Sequence, residues 1–397
     1  MSTPDTTSQS RIPPIAFLGL LAAISPLSLG IPVQSIPAIA NTFGATYGTT
    51  QLIISAFLLS FAVSQLVVGP LSDRFGRKPV LYGGLLIYGV ASVGAALANS
   101  IDILILARVL QGAGGCAALV TPRAVVQDTY RGLEAARMMA FVAMLQSVAP
   151  AVGPVIGGAI DTYFGWRWIF GFLAIMAGVM ALGASIWLRE TRPLLGGQPD
   201  SWTTIFMRYA RLFNSRLYIG YTLTFAFGTT GFFGYLAVGP GLLIEGQGLS
   251  PFKFSLSLMV IATQFVIGAY VSSHLVGKLG LDRTLWVATI GITLPALSLV
   301  IFVESPSVFT IVAPIVVFAF FNGFIFPNAL AGATGVDPRI AGSASSFLGF
   351  TQLGIGSIIV FVLSNMDTST TIPLGSCLLG LGVLTGFGMW LVRTAER

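Results

Sequence analysis

Gly69-Pro-Leu-Ser-Asp-Arg-Phe-Gly-Arg-Lys-Pro-Val-Leu81 is a charge-dense stretch between two long apolar runs. Asp73, Arg74, Arg77 and Lys78 fall within six positions of a chain in which 9% of residues are charged. Both flanks are apolar enough to be lipid-facing or buried helix, so the stretch reads as a short loop between two membrane spans. Short loops rich in Lys and Arg resist translocation, which places this one on the cytoplasmic side and orients the rest.

Working outward, the whole chain reads the same way. Its 397 residues are 55% hydrophobic, with a mean hydropathy of +0.88, far from the composition of a soluble domain. Apolar segments of about 20 residues are long enough to cross a bilayer as helices, where the backbone must satisfy its own hydrogen bonds. Twelve such helices are expected, near 15–39, 49–71, 79–98, 103–126, 138–160, 166–188, 217–243, 253–275, 284–303, 307–330, 340–364 and 371–392. The fold expected is therefore an all-α integral membrane protein of twelve transmembrane helices, with both termini cytoplasmic. A long polar interruption splits the helices six and six. The expected organisation is a disordered tail at 1–14, a bundle at 15–188, a linker at 189–216, a second bundle at 217–392 and a tail at 393–397. With this topology 17 of the 20 Lys and Arg are cytoplasmic, leaving Arg167 and Lys253 outside and Arg108 within a helix.

Other classes are disfavoured. The basic residues form no stripe for nucleic acid. Cys116 and Cys377 lie inside apolar runs and propose neither a disulfide framework nor a metal site. The first apolar run is longer than a signal-peptide core and reads as a retained helix. With no Gly-rich phosphate loop, a single His and no buried acid, direct ATP use and membrane enzymes are disfavoured, and no cofactor is expected.

The opening stretch resembles the loop between the second and third helices of the major facilitator superfamily, with pattern G-x-L-a-D-R-x-G-R-K-x-x-L. Gly69, Leu71, Asp73, Arg74, Gly76, Arg77, Lys78 and Leu81 match, and Ser72 replaces the usual Ala. The resemblance implies two pseudo-symmetric six-helix bundles. A faded second copy lies near Gly277, Lys278, Leu279 and Gly280. It also implies an inner-gate charge cluster joining Asp73 and Arg77 to Asp128, with Asp73 facing the N-terminus of helix 11, where the helix dipole favours an acid. The alternative is a solvated loop worth little.

Two further runs extend the likeness. Leu106, Arg108, Gln111, Gly112 and Gly114 resemble the helix-4 motif of the superfamily, whose Arg is thought to tune substrate or proton binding. Arg108 is expected to face a cavity, the usual fate of an intramembrane charge, with snorkelling to the outer leaflet as the alternative. In helix 5, Pro150, Gly153, Pro154, Gly157 and Gly158 resemble the antiporter motif g-x-x-x-G-P-x-x-G-G, with Ala149 for its first Gly. Two glycines four apart also suit a close packing seam. Arg189-Glu-Thr-Arg-Pro193 resembles the drug–proton antiporters of the bicyclomycin- and chloramphenicol-resistance branch.

One expected feature is missing. Relatives usually carry an acid in helix 1, but Gly30 to Ala38 holds no carboxylate. Asp161, Glu245, Glu304 and Asp128 remain as fallback proton carriers, while His274 reads as a bystander near the end of helix 8. The cavity should then be lined by neutral groups: Gln34, Met144, Gln146, Phe232, Phe233, Tyr235, Gln264, Asn322, Asn328 and Gln352, each equally suited to interhelical packing. The resemblance implies a monomeric exporter of small amphipathic compounds in a bacterial inner membrane, exchanging them for protons. The alternative is a facilitator or importer in which Arg108 binds an anionic metabolite.

Overall fold

The computed structural model describes residues 13–191, 207, 210, 212–301, 307–337, 341–367 and 369–395. Twelve helices in it are long and apolar enough to span a membrane. They are α1 (Ile15–Phe43), α2 (Tyr47–Phe75), α3 (Arg77–Ala96), α4 (Ile101–Thr129), α5 (Gly132–Phe164), α6 (Trp166–Trp187), α7 (Arg216–Glu245), α8 (Pro251–Leu279), α9 (Leu281–Ile301), α10 (Val308–Gly335), α11 (Ala341–Ser364) and α12 (Ile372–Ala395). No strand occurs among the described residues. The expected tail before residue 13, most of the linker, and the turn at 338–340 that would open α11 lie outside them.

Helix packing carries the internal repeat. In the first half α3 packs on α4, α2 on α4, α1 on α5, α3 on α6 and α1 on α4. Adding six to each number reproduces major pairs of the second half: α9 on α10, α8 on α10, α7 on α11, α9 on α12 and α7 on α10. The halves meet through α2 with α11 and α5 with α8, which the same operation exchanges. A repeated six-helix unit related by a pseudo-two-fold accounts for all of these pairs.

Two helices are interrupted, α1 and α7. In α1 the α-helix ends at Gly30, a 3₁₀ turn runs Val33–Ser35, and a second segment begins at Ile36. Pro32 has no N–H to donate, and Pro37 opens the new segment where a missing N–H costs nothing. In α7 the α-helix ends at Pro240 and widens into a π turn over Gly241–Glu245.

The charged motif corrects the expected loop. Helix α2 runs on to Phe75 and α3 begins at Arg77, so the connection is Gly76 alone, at φ 102° and ψ 158°. A side chain there would sit in a backbone region that L-residues avoid. Gly280 joins α8 to α9 at φ 79° and ψ 167°, so the faded second copy preserves the turn after losing most of the charges. The side of the molecule bearing Gly76 is called the motif face, and its opposite the far face.

Candidate functional site

At the motif face, Asp73 and Arg74 close α2 while Arg77 and Lys78 open α3. Arg77 pairs with Asp73, reaches Ser72 Oγ at 3.1 Å, and donates through Nε to Asp128 Oδ2 at 2.8 Å. The Arg77 and Asp128 side chains are 10% and 12% exposed, whereas Asp73 is 62% exposed. Thr191 donates to the same Asp128 oxygen at 3.2 Å. Among the described residues the cluster thus ties α2, α3 and α4 to the segment just after α6, all within the first half. Glu190 is the member that sequence reading missed. Its carboxylate accepts from the backbone N–H of Arg77 at 2.9 Å and of Lys78 at 3.1 Å. Gly76 has no side chain to cap α3, so an acid from a distant segment satisfies donors that the helix cannot. The available signal was an acid beside a basic segment and a helix start without a capping residue. Gly69 has open space where a Cβ would lie, so no close approach explains it here.

Arg108 departs from expectation. It is 0% exposed and neither faces an open cavity nor snorkels. Nε donates to the Ile53 carbonyl at 2.9 Å, Nη1 to Gln111 Oε1 at 2.8 Å, and the guanidinium lies 4.2 Å from the Phe57 ring centroid. Gln111 passes the chain on to Ser92 Oγ at 2.7 Å. The charge is held by a carbonyl, an amide and an aromatic face between α2, α3 and α4, with Nη2 alone unpartnered.

The helix-5 glycines form the seam that small residues permit. A Cβ on Gly153 would meet Leu27 and Ile31, and one on Gly157 would overlap Gln34 and the Ile31 carbonyl at the α1 break. Gly158 faces the other way, against Ser255 and Phe252 of α8. Pro154 lies against Gly30, and Pro150 sits one turn earlier in α5. One short motif therefore holds α5 against both α1 and the second half.

The described hydrogen bonds that cross between halves lie toward the far face. Tyr47 donates to the Ala237 carbonyl at 2.7 Å and accepts from the Gly241 N–H at 3.2 Å. Ala237 and Gly241 are four residues apart, the spacing of one helical bond. The hydroxyl bridges the two where α7 loosens into its π turn. Gln51 donates to the same carbonyl at 2.6 Å, and Ser357 donates to the Ser55 carbonyl at 2.8 Å. None of the groups in these four bonds carries a charge. Tyr47 and Gln51 were absent from the candidates because nothing in their sequence context marks them.

The neutral lining residues divide. Gln34 is buried at the α1 break, its amide bonded to the Ile31 carbonyl. Tyr235 is buried, its hydroxyl 3.2 Å from Ser257, and Asn328 is bonded to Ser272 at 2.6 Å; both link helices of one half. Asn322 reaches the Gly228 carbonyl at 3.3 Å, and Gln352 donates to Thr229 Oγ1 at 2.8 Å, so the two converge on one turn of α7. Phe232 and Gln264 are half-buried, Phe233 is buried and Met144 is exposed. Gln146 accepts from Arg123 Nη2 at 3.1 Å. His274 is exposed and bonded to its own helix at the Tyr270 carbonyl, 3.0 Å away. Asp161 is half-buried near the far end of α5, Glu245 is exposed, and Glu304 lies outside the described residues.

With this geometry in place, comparison with known proteins is decisive. The family model described as Major Facilitator Superfamily matches residues 18–361. The chain belongs to the Major Facilitator Superfamily. It is 36% identical to the chloramphenicol resistance protein of Pseudomonas aeruginosa over 65% of this chain and 60% of that one. It is 29% identical to multidrug resistance protein D of Escherichia coli (strain K12), over 97% of this chain and 95% of the relative. The solved structure of a D-xylose–proton symporter superposes with a TM-score of 0.73 at 13% identity, covering 94% of this chain and 96% of that chain, a likeness of fold. The superfamily assignment makes this a multi-pass membrane transporter acting on small molecules.

Proposed function

We propose that this superfamily member exports small amphipathic compounds from the cytoplasm across the bacterial inner membrane, by alternating access and in exchange for protons. The observation that carries the reading is the placement of the inter-half hydrogen bonds at the far face, combined with relatives named for drug resistance. Held together there, the halves can admit a solute from the motif face, which the distribution of Lys and Arg assigns to the cytoplasm. Rocking about a midplane site would then break the clasp and release the solute outside. One proton moving with the potential supplies about 2.3 kcal/mol per 100 mV, an adequate drive. Its carrier would be a carboxylate near a span end, with Asp161, Glu245 and Asp128 the described candidates.

The test is uptake of chloramphenicol by everted vesicles energised with an acidic lumen. Accumulation collapsed by a protonophore supports export by antiport. Equilibration that ignores the protonophore supports facilitation instead. Asp161→Asn, Glu245→Gln and Asp128→Asn, assayed for substrate-induced proton release in proteoliposomes, would then locate the carrier.

A further inference from the structure

We propose that Arg123 and Gln146 form a recognition site for an anionic group, so that the substrates are neutral to anionic compounds and not organic cations. The inference deepens the export reading by naming a substrate class.

Arg123 is six residues from the motif-face end of α4, or about 9 Å inside it. It is exposed even though it stands within a membrane span and among many protein atoms. A charge at that depth is retained where it faces water or a partner. Both ion pairs among the described residues belong to Arg77, and Arg123 has no carboxylate partner there. Asp128 is five positions on, about 140° around the helix, and is already held by Arg77 and Thr191.

What Arg123 does have is Gln146. This residue lies seven positions before Gly153, on the face of α5 that packs against α1 higher up. Lower down the same face meets α4. Arg123 Nη2 donates to Gln146 Oε1 at 3.1 Å, and a guanidinium has only donors. The amide must therefore turn its oxygen toward the Arg, which leaves its NH₂ as two further donors with no described partner. Gln127, one turn from Arg123 on α4, is exposed as well. Guanidinium and amide donors converging at one place, with no carboxylate among the described residues to balance them, suit a carboxylate, sulfonate or phosphate. Helix α10, which corresponds to α4 in the second half, has no charged residue in Val308–Gly335 to oppose them. Arg108 is the contrasting case, sealed and already occupied.

The anion could come from a solute or from a lipid headgroup, and the experiment separates them. The full chain is placed in phosphatidylcholine nanodiscs, and equilibrium binding of fluorescein, an organic anion, is compared with ethidium, an organic cation. Saturable fluorescein binding is expected, weakened about tenfold in Arg123→Gln, the scale of one charge-assisted hydrogen bond, and largely restored in Arg123→Lys. Gln146→Ala should weaken it severalfold, and ethidium should not saturate. Loss of fluorescein binding when phosphatidylglycerol is added assigns the occupant to a headgroup; retained binding assigns it to the solute. Ethidium binding tighter than fluorescein to the unmodified protein overturns the proposal without any variant, as does unchanged fluorescein affinity in Arg123→Gln. Binding does not depend on transport direction or proton coupling, so this failure is distinct from failure of export.

Discussion

The two ends of the molecule are held by different chemistry. At the motif face, Arg77, Asp73, Asp128, Glu190 and Thr191 form a charged cluster whose described bonds all lie within one half. At the far face, Tyr47, Gln51 and Ser357 form an uncharged clasp between halves. In the proposed rocking motion the cluster tightens helices that would stay together, and the clasp joins helices that would have to separate. Under that proposal, a contact that breaks in each cycle is better built from neutral hydrogen bonds, each worth about 1 kcal/mol net, than from a buried ion pair whose rupture costs several.

The largest expected effect tests the first half of that contrast. Arg77→Ala leaves the largely buried Asp128 without its cation, and breaking such a pair costs about 3 kcal/mol. Thermal unfolding in detergent should show the loss. Labelling of a Ser55→Cys reporter (with Cys116 and Cys377 replaced) by a membrane-impermeant maleimide from the far face should not change. A rise in labelling would mean that the cluster also holds the halves together.

Next in size is the clasp. The double change Tyr47→Phe with Gln51→Leu deletes three described hydrogen bonds between the halves, worth about 2–3 kcal/mol, which favours opening of the far face by one to two orders of magnitude. The same reporter should label correspondingly faster while thermal unfolding shifts little. Unchanged labelling would remove the distinction between the two ends.

Smaller effects sharpen the picture within the cluster. Glu190→Gln keeps a hydrogen-bond acceptor but removes the charge at the start of α3, an expected loss of about 0.5–1 kcal/mol that 0.5 M salt should diminish. Asp73→Asn should cost less than about 1 kcal/mol, because that carboxylate is mostly exposed. Its consequence belongs to turnover: transport rate should fall more than substrate affinity, and equal losses would count against a gating role.

Much of the fold was legible in the chain. The twelve spans, the six-plus-six repeat and the Arg77–Asp128 pairing follow the expected order, and the structure moves most span ends by a few residues. The misreadings share a cause. Arg108 looked like a cavity cation because its sequence neighbours are apolar, but Ile53, Phe57 and Gln111 enclose it from two helices. Arg123 was counted among the 17 cytoplasmic cations, although it lies six residues inside the end of α4. Glu190 and Tyr47 act on partners more than 100 residues away, which no local pattern marks.

The sequence alone determined how many helices cross the membrane and roughly where, because bilayer thickness sets a span's length and lipid demands that each span satisfy its own backbone. Which side of each helix meets lipid, a neighbour or the solute path was decided by tertiary structure. Helices this apolar all round carry almost no amphipathic signal, so the environment of a polar side chain depends on which helix packs beside it.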